Sequence, residues 1–73
     1  MIATPTSVRE FIRRRRFQRH TRAALIHLAR DPEASYRQIG RAHGIDSGRL
    51  YKTAMLVPGL TDLRTHRRNG LAV

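Results

Sequence analysis

The sequence predicts a small all-α domain, tri- to tetra-helical, with flexible basic termini, and three features carry that prediction. Serine is followed three residues later by a glutamate or glutamine at Ser7–Glu10 and again at Ser35–Gln38. In that spacing each residue can satisfy the other's free backbone amide at a helix start. Apolar residues then recur at helical rather than alternating spacing, most clearly through Ala24, Leu25 and Leu28. Proline and glycine punctuate the apolar stretches at Pro32, Gly44 and Pro58-Gly59. With 73 residues the chain is one domain at most, too small to bury much of its surface.

Residues 1–6, with Pro5, show no periodic pattern and are read as a flexible N-terminus. Ser7 and Glu10 open a helix in which Val8, Phe11 and Ile12 share a face. Arg13, Arg14, Arg15 and Arg16 interrupt that face, and Phe17 falls roughly 140° around from Ile12. Residues 7–20 are therefore read as a basic arm or short helix whose apolar side is too small for a firm core contact. Residues 21–30, T-R-A-A-L-I-H-L-A-R, form a helix with Ala24, Leu25, Leu28 and Ala29 inward, closed by Asp31-Pro32 because proline disfavours helical backbone in its predecessor. No glycine or proline separates the two segments, and a break or bend is expected near His20.

Residues 35–56, S-Y-R-Q-I-G-R-A-H-G-I-D-S-G-R-L-Y-K-T-A-M-L, spell two short helices joined by a glycine turn. Ser35 caps the first, Gly44 ends it in the left-handed conformation, and Asp46 or Ser47 caps the second. Ile39, Gly40, Ala42, Ile45 and Leu50 stand where two closely crossing helices meet. The pattern is that of a helix-turn-helix. Met55, Leu56, Val57 and Leu60 are assigned to the core by default, any left outside offering an interface. Pro58-Gly59 makes a turn, and Thr61 caps a last short helix through Leu63 and Arg67 to Gly70. The helical domain spans 21–69, and 70–73 is a loose tail.

The net charge is +10, and it is carried by fourteen arginines and one lysine. Such a charge points to a polyanion or an acidic protein surface. Arginine forks onto phosphates and carboxylates and stacks on flat rings, which lysine does not. Seven of the fifteen cations, from Arg9 to Arg22, precede the helix-turn-helix, and Arg64, Arg67 and Arg68 follow it. Four consecutive arginines repel one another and rarely serve stability alone. A phosphate-binding arm of this kind gives salt-sensitive, largely sequence-independent affinity.

Several functions are excluded or disfavoured. Without cysteine there are no disulfides, thiolate metal sites or thiol nucleophile, and nothing in that count suggests secretion. No apolar run, residues 23–26 included, is longer than four residues, far too short to cross a bilayer, so a soluble, untargeted, cytosolic protein without membrane partners is expected. His20, His27, His43 and His66 lack the spacing and companion carboxylates of a helical metal site. No nucleophile–base arrangement or carboxylate pair is legible. Neither catalysis nor a cofactor is expected.

The segment 21–56 resembles the tri-helical DNA-binding domains of small phage and plasmid regulators, with I-G-R-A-H-G-I-D-S-G-R-L-Y-K at the helix-turn-helix positions. That resemblance implies binding of operator or promoter DNA. Arg41, Ser47, Arg49, Tyr51 and Lys52 are then the candidate nucleic-acid contacts, a thin set for reading bases. At whole-chain level, length, basic arms and helical middle are similar to the small RNA polymerase-binding transcription regulators of lytic Xanthomonas phages. This second resemblance implies binding to host bacterial RNA polymerase, shutoff of host transcription initiation and antitermination. The leading expectation is such a regulator, acting as a monomer. Val8, Arg9, Phe11, Ile12, Arg13, Arg14, Arg15, Arg16 and Arg19 would contact the polymerase, arginines on acidic surface and apolar side chains in a pocket. The alternatives are a sequence-specific DNA-binding repressor and an arginine-rich RNA-binding protein.

Overall fold

The computed structural model describes the backbone of residues 5–71 and the side chains of residues 6–65. Those residues form an all-helical domain of five helices with no strand among them. The expectations for the two termini fall partly on residues 1–4, 72 and 73, outside the described residues, while residues 5, 6, 70 and 71 are helical.

Helix α1 (Pro5–Arg14) starts two residues before Ser7. Proline's fixed φ suits a first helical position and its missing N–H is no loss there, so Ser7 lies inside the helix and is not its cap. Val8 and Ile12, four residues apart, are 1% and 0% exposed and pack in the core. Residues 7–20 are thus not a free arm. The two side chains lie on one stripe, and that is enough to seat α1 on α2 (Arg19–Arg30). The chain turns at residues 15–18, a little before the break expected near His20, and Phe17 packs half-buried against the core. The Arg22 guanidinium donates to the Phe17 carbonyl at 3.5 Å and steadies this connection.

Helix α2 is the hub, packed against each of the other four helices. Its inward residues are the expected ones, Ala24, Leu25, Leu28 and Ala29, all buried. The helix ends at Arg30, and the Asp31 N–H still reaches the His27 carbonyl at 2.9 Å. Pro32 is buried in the turn that follows.

The Ser35–Gln38 capping box forms at the start of α3 (Tyr36–His43). Ser35 Oγ accepts from the Gln38 amide at 3.0 Å, and Gln38 Oε1 accepts from the Ser35 amide at 2.9 Å. Gly44 ends the helix at φ 72°. Asp46 then caps α4 (Ser47–Met55), its Oδ2 accepting from the Arg49 amide at 3.2 Å. Gly40 is required where the two helices meet, because a Cβ there would collide with the Ile45 carbonyl oxygen. Of the residues assigned to this crossing, Ile39, Gly40 and Leu50 are buried and Ile45 is half-buried, while Ala42 is exposed.

Gly59, at φ 80°, turns the chain into α5 (Leu60–Leu71). That helix begins one residue before Thr61, which is therefore inside it and not its cap. Val57, Leu60 and Leu63 join the core, but Met55 and Leu56 do not: they are 56% and 58% exposed. At 100° per residue, Leu50, Ala54 and Val57 form one inward stripe and leave positions 55 and 56 outside it.

Candidate nucleic-acid interface

The fold sorts the arginines into two populations. Arg64, counted among the charges of the C-terminal end, is only 5% exposed. Its Nη1 donates to the carbonyls of Leu28 at 2.7 Å and Asp31 at 2.9 Å, and Nη2 donates to that of Ala34 at 2.6 Å. The guanidinium also lies over the Tyr36 ring, 5.0 Å from its centroid. It closes the end of α2, where the last carbonyls have no partners within the helix and the dipole favours a cation. Arg64 is structural. The side chains of Arg67 and Arg68 lie outside the described ones.

The expected contact residues of the N-terminal segment divide in the same way. Val8 and Ile12 are in the core and offer no surface to a partner. Arg9 and Phe11 are half-buried, while Arg13, Arg14, Arg15, Arg16 and Arg19 are exposed. Arg13 and Arg14 occupy the last turn of α1, where their charge complements the helix dipole. Arg15 stands between two rings, its guanidinium 5.8 Å from the Phe11 centroid and 6.0 Å from that of Phe17. At those distances the ring faces hold the cation weakly and keep its position defined.

Arg41, Arg49 and Lys52 are exposed, and Ser47 is half-buried at the start of α4. Tyr51 is 49% exposed, and its ring meets Tyr36 edge to face with centroids 5.2 Å apart. It therefore braces α4 against α3. Seen down α4, Leu50 and Ala54 face the core, Gly48 and Lys52 face away from it, and Arg49 flanks them.

The structure brings together two groups of cations that are far apart in sequence. A groove of about 410 Å³ runs between the α1–α2 connection and α4, with Arg16 on one side and Arg49 on the other. Phe17, Ile45, Leu50 and Leu56 line it along with His20 and Thr53. Arg37, which sequence reading passed over, is exposed one turn before Arg41 on α3. The signal was there in the i, i+4 spacing of the two arginines.

Two histidines link α2 and α3. His27 Nδ1 and His43 Nε2 are 3.1 Å apart with the rings edge to face, and His27 Nε2 lies 4.0 Å from Asp31 Oδ2. One nitrogen of the pair donates and the other accepts, a hydrogen bond between α2 and α3. This polar link stands in place of the aliphatic contact usual before a turn glycine. Among the described residues no group of three or more His, Cys, Asp or Glu side chains is placed to hold a metal ion. No helix among them is long and apolar enough to cross a membrane.

Comparison of the chain with protein-family models, with curated proteins and with solved structures finds no match.

Proposed function

We propose that the chain is a small, non-enzymatic DNA-binding transcription regulator in which α3, the glycine turn and α4 act as a helix-turn-helix. The observation that carries this reading is the presentation of α4. It is capped by Asp46 and seated on the core by Leu50 and Ala54, with Lys52 turned outward and Arg49 lining a groove opposite Arg16 of the α1–α2 connection. In the major groove such a helix offers Arg49 and Lys52 to guanine edges, while Arg13, Arg14, Arg16 and Arg19 neutralise phosphates alongside. A net charge of +10 supplies the long-range attraction. A cytosolic location accompanies this reading.

The polymerase-binding reading ranks below it. Of its three pocket-filling side chains, Val8, Phe11 and Ile12, two belong to the core and Phe11 is half-buried. Phe11 and the arginines are what remain for that partner, and recovery of core polymerase subunits from a bacterial lysate is the measurement that would restore it. The RNA-binding arm ranks lower still, because α1 owes its seat to α2 and a peptide of residues 7–22 lacks most of that surface.

The test is selection of a preferred duplex from a random pool, followed by salt-titrated binding to it and to a scrambled duplex. Preference for the selected site, relaxed by Arg49→Ala and kept by Arg13→Ala with Arg14→Ala, supports base reading by α4. Equal affinity for both duplexes at moderate salt overturns it.

A further inference from the structure

Met55 and Leu56 are large apolar side chains left more than half exposed, in a domain that buries every other aliphatic of its α4–α5 region from Leu50 to Leu63. They follow Lys52 by three and four residues, so one stands on each side of the outward ridge of α4, one turn beyond the cation. Helical rise places them about 4.5 and 6 Å further along the axis than Lys52. The outward surface of α4 thus runs from cationic to apolar within a single turn.

A major groove presents the same two chemistries. Guanine offers acceptors to a cation, and the thymine C5-methyl is the groove's apolar feature. We propose that Met55 and Leu56 contact thymine methyl groups, making the preferred site one in which thymines lie beside the base pair faced by Lys52, on the side away from Arg49. This inference rests on the DNA-binding reading and names what its site contains. Charge complementarity selects DNA as the occupant of the patch: the exposed cations Arg49 and Lys52 precede it on α4 in a chain of net charge +10, and the flanking carboxylates, Asp46 beside Leu56 and Asp62 beside Met55, stand at its two edges.

The experiment uses the full chain and the duplex selected above, with each thymine replaced in turn by deoxyuridine, which removes the methyl and keeps the base pair. Loss of a buried methyl weakens binding about fourfold. That loss is expected at one or two positions for the native chain and at none for Met55→Ala with Leu56→Ala. Both side chains are exposed, so the double variant is expected to keep its unfolding midpoint. Indifference of the native chain to every deoxyuridine overturns the inference while leaving DNA binding intact. Failure to bind any duplex overturns both. A native dimer that the double variant dissolves assigns the patch to a second copy of the chain, and overturns the inference as well.

Discussion

Arg64 and Arg49 sit on consecutive helices and carry the same charge, yet the fold uses them in opposite ways. Arg64 follows Leu63 on the inward side of α5, facing the end of α2, where three backbone carbonyls converge on one planar fork of donors. Arg49 lies beyond the inward stripe of α4, where its backbone amide is bound by Asp46 and its side chain is left to solvent. The corner built by α2, α3 and α5 is therefore a place where charge has been converted into structure. The outer side of α4 is a place where structure holds charge available. In a domain this small a cation can serve one purpose or the other, and its neighbours decide which.

Removing the converted charge has the largest expected effect. Arg64→Ala strands the Leu28 and Ala34 carbonyls, the Asp31 carbonyl keeping its bond from the Ala34 amide, at about 1–3 kcal/mol for a buried group left without a donor. A loss of that size unfolds much of a domain whose whole margin is about 5 kcal/mol. Urea denaturation measures it, and Arg64→Lys is expected to restore only part, since an ammonium lacks the planar fork. If Arg64→Ala unfolds at the native midpoint, the corner is not the clasp described.

Gly40→Ala comes next, at about 1–3 kcal/mol, because the added Cβ forces α3 away from the Ile45 carbonyl. It also shifts α4, so duplex affinity is expected to fall along with the melting temperature, tying the two regions together in one variant. Ser35→Ala removes the acceptor for the Gln38 amide and is expected to cost about 1 kcal/mol, read by thermal melting.

On the outer side the ranking of observables reverses. Arg49→Ala and Lys52→Ala are expected to change stability by less than about 0.5 kcal/mol, as surface substitutions do. Each is expected to lower affinity for the selected duplex about tenfold, the scale of one lost base contact. Arg13→Ala with Arg14→Ala, which also removes the charges that complement the end of α1, is expected to keep sequence preference. The plot of log affinity against log salt should flatten by about 0.9 for each phosphate contact removed. A destabilised Arg49→Ala domain would erase the contrast between the two arginines.

Much of the fold was legible because its signals are local. The capping box at Ser35, the turn at Gly44 and the end of α2 before Pro32 depend on residues within one turn of one another and stand where the sequence places them, and of the two caps it offers for α4, Asp46 and Ser47, the fold uses Asp46. Two local signals mislead, the caps at Ser7 and Thr61, whose helices begin two residues and one residue earlier; the other misreadings concern packing. Val8 and Ile12 looked too few for a core contact because the surface that receives them belongs to α2. Met55 and Leu56 read as core on apolarity alone, and the stripe of Leu50, Ala54 and Val57 excludes them. The candidate site was legible in its α4 residues, Arg49 and Lys52, and hidden in its pairing with Arg16, which only the packing of the α1–α2 connection brings near.

The sequence by itself determined that this chain is helical, where two of its helices begin and end, and that it carries a large excess of positive charge. Caps, turn glycines and periodic apolar residues act over a few bonds, and formal charge needs no fold to exist. Tertiary structure alone decided which of those charges remain available. A guanidinium buried against three carbonyls and one left in water are the same residue until helices far apart in the chain are packed, and burial is a property of that packing.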